Sequence, residues 1–414
     1  MNSHPLVVVG ASLAGVHVVR GAREAGFRGP IVLIGAEDHL PYDRPPLSKQ
    51  HLHGDVLPPD VLLDRSVLED DLGVRLELGR AATGLDVDEQ LLFRGDEEIR
   101  YQSLVIATGS EPRRLPSAGT VSAVTCLRTY DDAQRIRRRL TPGAHIVVVG
   151  AGLIGSEVAS AALARGCRAT LVDVDEIPLR RVVGPEIGEA VATLQSAAGV
   201  DLRLGTGIER VAAAGEGAEV VLSDGSRLTA DLVVVGIGST PATSWLAGSG
   251  LVLEPDRSIA CDSHLRAAPN VYAAGDVATW WNGSLDGRCR FENWTNAIAQ
   301  GTHAGRNAAA GGPTSPYRGT PYVWTDLHGV RLQVAGQVQH CTTHVVRPGA
   351  PLSGLIAVTA RSGVAVGLLC ADQAAALGRG RRLLGRASLD EMVATVTKAA
   401  RGGTPAATSA DAAR

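Results

Sequence analysis

Lysine is almost missing from this chain. Among 414 residues and 40 basic side chains, the only lysines are Lys49 and Lys398. A GC-rich genome that favours arginine codons is the plain cause, and it makes a lysine inside a recognisable motif more informative than usual. No apolar run approaches the roughly 18 residues of a membrane span, and no signal peptide is recognised. A soluble, cytoplasmic protein without a membrane partner is therefore expected. The net charge of −3 argues against a general nucleic-acid binder. The six cysteines (Cys126, Cys167, Cys261, Cys289, Cys341 and Cys370) form no C-x-x-C or other close pair. A structural zinc site is not expected, and the cysteines read as buried small apolar residues. The eleven histidines form no metal-spaced set, and the HLH of 51–53 reads as a structural or solvated pair in a loop.

What is present is a glycine-rich turn used twice. LVVVGASLAG (6–15) and HIVVVGAGLIG (145–155) are each a run of apolar β-formers that ends in a tight turn and opens into an Ala/Val-rich helix pattern. Glycine lets the backbone turn sharply and approach a pyrophosphate. The following helix then offers free N–H groups and its positive end to the phosphates. One such turn is weak evidence, but two in one chain, each with an acid about 20–27 positions on, are strong evidence for two dinucleotides. The acids are Glu37, after IVLIGAE (31–37), and Asp173, ending ATLVD (169–173). A carboxylate there accepts hydrogen bonds from adenosine ribose hydroxyls and repels a 2′-phosphate. The alternative is an ordinary exposed acid at a strand end. Arg180 and Arg181 lie close in sequence and could instead bind a 2′-phosphate.

VYAAGDVA (271–278) is a strand that ends in Gly275-Asp276, and LPYDRPPLSK (40–49) comes soon after Glu37. With ATGSEPRRLP (107–116), LRTYDDA (127–133), ENWTNAIAQG (292–301) and PYVWTDLHG (321–329), these stretches follow one another in a known order. The chain resembles the two-dinucleotide flavoprotein superfamily and, within it, the FAD-dependent NADH:ferredoxin reductases of the putidaredoxin reductase type. The resemblance runs from about residue 5 to residue 340 and departs at Ser12, where the family's middle glycine sits, and at Val323, where an aromatic is commoner. A small residue with negative φ still permits close approach at position 12. ADQAAALGRGRRLLG (371–385) is richer in Ala and Gly than the family's stretch. Disulfide reductases and peroxidases of the superfamily carry cysteine soon after the first acidic strand; HLPYDRPPLSKQHLHG (39–54) has none, so a flavin-to-disulfide relay there is excluded by residue type.

The expected fold is α/β. It has two Rossmann-like domains, the FAD domain being discontinuous, and a small α+β C-terminal domain. Residues 1–112 and 245–320 form the FAD domain, 113–244 the NAD domain and 321–400 the C-terminal domain. The tail 401–414 is expected to be disordered. SLVIATGS (103–110) returns to the first sheet, DLVVVGIGSTP (231–241) closes the second, and 294–310 reads as a helix. In the C-terminal part, 330–338, 352–360 and 363–371 read as strands. Residues 388–400 read as a helix with Ser388 as N-cap and Glu391 three residues on.

The resemblance implies particular site residues. For FAD they are Gly10, Ser12, Ala14 and Gly15 in the turn, Glu37, Arg44, Pro45 and Lys49, Ala107, Thr108 and Gly109, Arg128, Gly275 and Asp276, Trp294, Ala297 and Trp324. For NAD they are Gly150, Gly152, Leu153, Ile154 and Gly155, Glu157, Asp173, Arg181 and Gly238. The family's lysine at the place of Lys49 lies on the N5 and O4 side of the flavin, where a fixed ammonium stabilises reduced flavin. The family's glutamate at the place of Glu157 pairs with it and approaches the nicotinamide. Lys49 also reads as a surface lysine after a proline turn, Glu157 as an acid stabilising its own helix, and Trp324 as an ordinary core tryptophan. Trp280 and Trp281 read as core or interface.

The expected activity is hydride transfer from NADH to FAD, then single electrons to a two-iron, two-sulfur ferredoxin that serves an oxygenase. The chain has no cluster-binding cysteine set, so the cluster belongs to the partner. Ferredoxins are usually acidic, which makes Arg306, Arg318, Arg379, Arg381 and Arg382 candidates for docking, against the plain reading of solvated faces. A monomer or weak homodimer is expected. Two other readings share the same residues: a flavoenzyme acting directly on a small molecule in a biosynthetic pathway, and a redox-sensing scaffold that binds NADH and changes partners.

Overall fold

Leu6–Val9 is a four-residue strand buried along its whole length, and the first sheet is laid down on either side of it. In this computed structural model, which describes residues 4–54, 57–283, 285, 287–312 and 314–401, it pairs in parallel with Ile31–Ile34 and with Ser103–Ile106. The full order is Arg266–Ala268, Val271–Ala273, Ser103–Ile106, Leu6–Val9, Ile31–Ile34, Val74–Glu77, antiparallel only at the first pair. Continuous Val/Ile/Leu runs are what a parallel sheet covered on both faces requires. The helix Leu13–Glu24 follows the first strand and packs on Trp294–Ala310 through glycine. A Cβ on Gly301 would lie 2.4 Å from the Ala14 carbonyl, and one on Gly305 2.1 Å from that of Val18.

Contacts divide the chain into two units. The first takes Met1–Pro46, Leu57–Pro112 and Ser239–Pro321; the second takes Leu47–Val56, Arg113–Gly238 and Tyr322–Arg414. The first also carries a three-stranded meander over Gly84–Arg100 and a ribbon in which Ser110–Pro112 pairs with Ser239–Pro241.

The second unit repeats the parallel plan in the order Asp201–Leu204, Arg168–Asp173, His145–Val149, Leu232–Val235, Val124–Cys126. A three-stranded antiparallel meander over Ile208–Ala230 is added to it. An antiparallel sheet follows in the order Tyr322–Leu327, Val330–Gly336, Val364–Ala371, Ile356–Arg361, Thr342–Arg347. Alternation gives it two apolar faces. One packs Leu327, Leu332 and Leu369 against Val183, Ile187 and Val191 of the second unit. The other packs Ile356, Val358 and Leu368 against Leu377, Met392 and Val396 of the helices Ala374–Gly380 and Leu389–Arg401. Each fully buried Leu, Ile or Val contributes about 1.5–3 kcal/mol.

The α/β class, both glycine turns, the 294–310 helix and the 388–400 helix stand as expected, with the Glu391 N–H donating to the Ser388 hydroxyl at 3.2 Å. Three readings are corrected. HLH is not loop: Gln50–His53 is a helical turn, with His51 fully buried and edge-on to Tyr130. The strand read at 352–360 begins only at Ile356. Arg401 ends the last helix, and 402–414, read as a disordered tail, lie outside the described residues. Among the described residues no helix is long and apolar enough to cross a membrane.

Candidate dinucleotide sites and a buried charged pair

Both glycine turns are built to the same plan. Gly10 and Gly150 have φ of +119° and +105°, a region that side chains rarely enter. A Cβ on Gly15 would lie 2.0 Å from the Gly10 carbonyl, and one on Gly155 1.9 Å from that of Gly150, so both helices start tight against their strands. Between them, a Cβ on Gly152 would meet nothing within 4 Å: that side of the turn is open. Ser12 stands at the matching place with φ −142°, an extended conformation that does not close the turn.

The two helices that follow lack a side-chain cap and lack an acid in the first turn. The helix Tyr130–Arg139 has both: a reciprocal capping box between Thr129 and Asp132, with Asp131 and Asp132 in the first turn. Uncapped N–H groups at an open glycine turn suit a phosphate, so the residues present fit two bound dinucleotides.

In the first unit the second segment is Gly275-Asp276. Gly275, φ +83°, is lodged so that a Cβ would lie 3.2 Å from that of Ala14 and 3.9 Å from that of Ala297. Its N–H donates to Gln300 Oε1 at 2.8 Å. The Asp276 carboxylate accepts from the Ser110 hydroxyl at 3.2 Å, and its carbonyl from Arg290 at 3.2 Å. The Ala107 carbonyl lies against Gly10, Thr108 donates to the Ala242 carbonyl at 2.9 Å, and Gly109 has φ +70°. Glu37 is held by the Tyr42 hydroxyl at 2.6 Å and by Arg44 at 2.7 Å, just ahead of the Pro45–Ser48 turn. Trp294 Nε1 donates to Asp43 at 2.6 Å, and burial pushes the Asp43 carboxyl above its usual range.

In the second unit Asp173 closes its own turn: Oδ2 accepts the Ala151 N–H, and Oδ1 that of Asp175 at 2.8 Å. Leu153 packs on the apolar face beneath, whereas Ile154 is 44% exposed at the helix start. Gly238 has φ +95°. Arg181, 88% exposed, lies 4.0 Å from Asp175.

Lys49, Arg128 and Trp324, assigned above to FAD, belong to the second unit. The Arg128 N–H donates to Asp132, and Trp324 stacks on Tyr322 at 5.9 Å, with Arg381 4.6 Å over the Tyr322 ring. Lys49 Nζ donates to Glu157 Oε1 at 2.6 Å, with side-chain exposures of 18% and 4%. The pair is therefore half-buried on one side and buried on the other, which sets aside a freely solvated lysine and an acid serving only its own helix. Arg165 donates to the carbonyls of His53 and Gly54 at 3.2 Å and Arg137 to that of Gly54 at 3.0 Å, anchoring the segment that carries Lys49.

Sequence reading missed Ser48 and Thr325, which also donate to Glu157, and Tyr42, Ser110 and Gln300, which hold Glu37, Asp276 and Gly275. Ser48 lies in RPPLSK and Thr325 in PYVWTDLHG, and only the fold joins them. The cysteines are only partly as expected. Cys167, Cys261 and Cys370 are buried, the last two pushed up to about 12 by burial, but Cys126, Cys289 and Cys341 are half-buried. Trp280 is core and Trp281 is 45% exposed. Arg306 is not a lone solvated cation, since it pairs with Glu24 at 2.9 Å. Arg318, Arg379, Arg381 and Arg382 are exposed. Among the described residues no three His, Cys, Asp or Glu gather where they could hold a metal ion.

Residues 4–301 match the family model described as pyridine nucleotide-disulphide oxidoreductase, and residues 322–399 the model described as reductase C-terminal. The chain is 34% identical to the rhodocoxin reductase of Rhodococcus erythropolis over 357 residues, 85% of this chain and 82% of that protein. It is 33% identical over 350 residues to the ferredoxin–NAD(+) reductase subunit of the benzene 1,2-dioxygenase system of Pseudomonas putida, 84% of each. The ferredoxin reductase for the CYP199A2 system from Rhodopseudomonas palustris superposes with a TM-score of 0.88 at 31% identity, covering 96% of this chain and 100% of that one.

Proposed function

We propose a specific electron route for this chain, which belongs to the pyridine nucleotide-disulphide oxidoreductase family and, within it, to the ferredoxin reductases of the putidaredoxin reductase type. It is an FAD-dependent oxidoreductase that carries electrons from NADH to a ferredoxin of an oxygenase system. Bound FAD supplies the conversion of a two-electron donor into single electrons. The chain's own residues bind, orient and set charge. The observation that carries the reading is the pair of uncapped glycine turns, each with its acid, in a chain with no cysteine beside the first.

In this route the first turn, Glu37 and the Gly275-Asp276 segment hold FAD, with the phosphates on the uncapped N–H groups of Leu13–Glu24. The second turn holds NADH, with Asp173 on the adenosine ribose. Its carboxylate makes NADH preferred over NADPH, because a 2′-phosphate would set a dianion beside it. Glu157 fixes Lys49, whose ammonium would supply positive charge to stabilise reduced FAD. The acceptor is an acidic two-iron, two-sulfur ferredoxin that docks on Arg306 and Arg318, and the protein works in the cytoplasm as a monomer or weak homodimer. The FAD domain spans 1–112 and 245–320, the NAD domain 113–244 and the C-terminal domain 321–400.

Steady-state assays with NADH and a panel of acceptors test this reading. Rapid turnover with an acidic two-iron, two-sulfur ferredoxin and slow turnover with a rubredoxin or small quinones is the expected result. Turnover confined to a small molecule would put the direct flavoenzyme in its place.

A further inference from the structure

Glu157 has more partners than its pairing with Lys49 requires. Oε1 accepts from Lys49 Nζ at 2.6 Å and from Thr325 Oγ1 at 2.7 Å, while Oε2 accepts from Ser48 Oγ. The carboxylate is 4% exposed, Ser48 6% and Thr325 1%. The donors come from distant stretches: Ser48 and Lys49 from a proline-bounded turn, Thr325 from the first strand of the C-terminal sheet.

Residue type makes the third contact informative. Along Tyr322–Leu327 the side chains alternate, and Thr325 shares its face with Val323 and Leu327, both packed in an apolar cluster. Valine has the same shape and would pack there without a polar atom. A hydroxyl at that place needs a partner, because an unsatisfied buried polar group is costly, and Glu157 is the partner it has.

The geometry also bears on Lys49. A lysine ammonium sits on a flexible stem and is placed only as well as its counter-ion is. A carboxylate bonded at one oxygen can turn. One bonded at both oxygens, by groups on separate segments, cannot.

We propose that Ser48 and Thr325 are positioning residues for the reaction: their hydroxyls pin both oxygens of Glu157, and Glu157 in turn holds the Lys49 ammonium in one place. The C-terminal sheet thereby contributes a residue to the charged site and is more than a platform for the partner. The effect on rate rests on the reading of Lys49 given above. The pinning of the ammonium does not.

The scarcity of lysine supplies the test. In the FAD-loaded full chain, trace acetylation with acetic anhydride and peptide mass spectrometry reads Lys49 against Lys398, which is exposed on Leu389–Arg401 and serves as internal reference. Wild type should label Lys49 about tenfold more slowly than Lys398, and Thr325→Val and Ser48→Ala should each raise Lys49 labelling several-fold with Lys398 unchanged. Thr325→Ser should restore the slow rate. Stopped-flow reduction by saturating NADH should slow about tenfold in the same variants, with FAD content intact. Should Thr325→Val not fold, Ser48→Ala, which removes a single atom, carries the test. Lys49 labelling unchanged in folded Thr325→Val or Ser48→Ala overturns the proposal. Raised labelling with an unchanged reduction rate supports the pinning and overturns the role given to Lys49.

Discussion

Asp173 Oδ2 accepts the backbone N–H of Ala151, so the acid that ends one strand holds the glycine turn that ends its neighbour. Asp173→Ala therefore loosens the turn and, with it, removes the proposed ribose acceptor. Hydrogen bonds to a charged acceptor are worth about 1.5–3 kcal/mol each, so NADH should bind roughly 10- to 100-fold more weakly. NADPH should not be gained, since both nucleotides use the turn. Wild type should prefer NADH, and Arg181→Ala should leave that preference in place, because Arg181 is exposed beside Asp175. Catalytic efficiencies with the two nucleotides check this; equal values in wild type would show that the arginines override Asp173.

Lys49→Met should slow flavin reduction more than it weakens NADH binding, because the lost interaction grows as negative charge develops. The expected loss in limiting rate is on the order of 2–4 kcal/mol. Glu157 keeps the Ser48 and Thr325 hydroxyls. Unfolding in urea should therefore show less than the roughly 3–5 kcal/mol that a stripped buried ion pair costs. An unchanged limiting rate at saturating NADH would make Lys49 a structural residue.

Arg306→Glu tests the docking face. Its pair with Glu24 is exposed on both sides, so stability should change by less than about 1 kcal/mol. The Michaelis constant for ferredoxin should rise while flavin reduction by NADH stays as it was. Salt should weaken the wild-type complex and have less effect on the variant. Superimposable ferredoxin titrations at low and high salt would remove Arg306 from the interface.

Four histidines set an acid limit. Burial lowers the pKa of His17, His53, His303 and His328, the last hydrogen-bonded to Gln195 at 2.6 Å. The folded state holds them neutral while the unfolded chain takes up protons near the ordinary histidine value of about 6.5. Their contribution is present above that value and is lost as pH falls through the folded pKa. Asp43, whose pKa burial raises, acts in the opposite sense. The urea midpoint should fall between pH 7 and pH 5, and His328→Gln should flatten the slope. A midpoint independent of pH would contradict this.

The glycine turns were legible because their backbone leaves almost no other residue possible: Gly10 and Gly150 have positive φ, and Gly15 and Gly155 lie under 2.1 Å from a carbonyl at their Cβ positions. Strands buried on both faces, such as Leu6–Val9 and Leu232–Val235, were legible as unbroken apolar runs. The Gln50–His53 turn was not, since four polar-rich residues carry no period and owe their helix to anchoring by Arg165 and Arg137. The Lys49–Glu157 pair came from resemblance. The hydroxyls around it did not, because Ser48 and Thr325 lie 109 and 168 positions from Glu157 and only the folded chain joins them.

Electrons that leave NADH in a pair should reach ferredoxin singly. Anaerobic titration of the FAD-loaded protein with limiting NADH, in excess oxidised two-iron, two-sulfur ferredoxin, measures it most directly. Two ferredoxins reduced per NADH consumed, with the flavin returning to its oxidised spectrum, is the expected result. Flavin bleached by NADH while ferredoxin stays oxidised would contradict it.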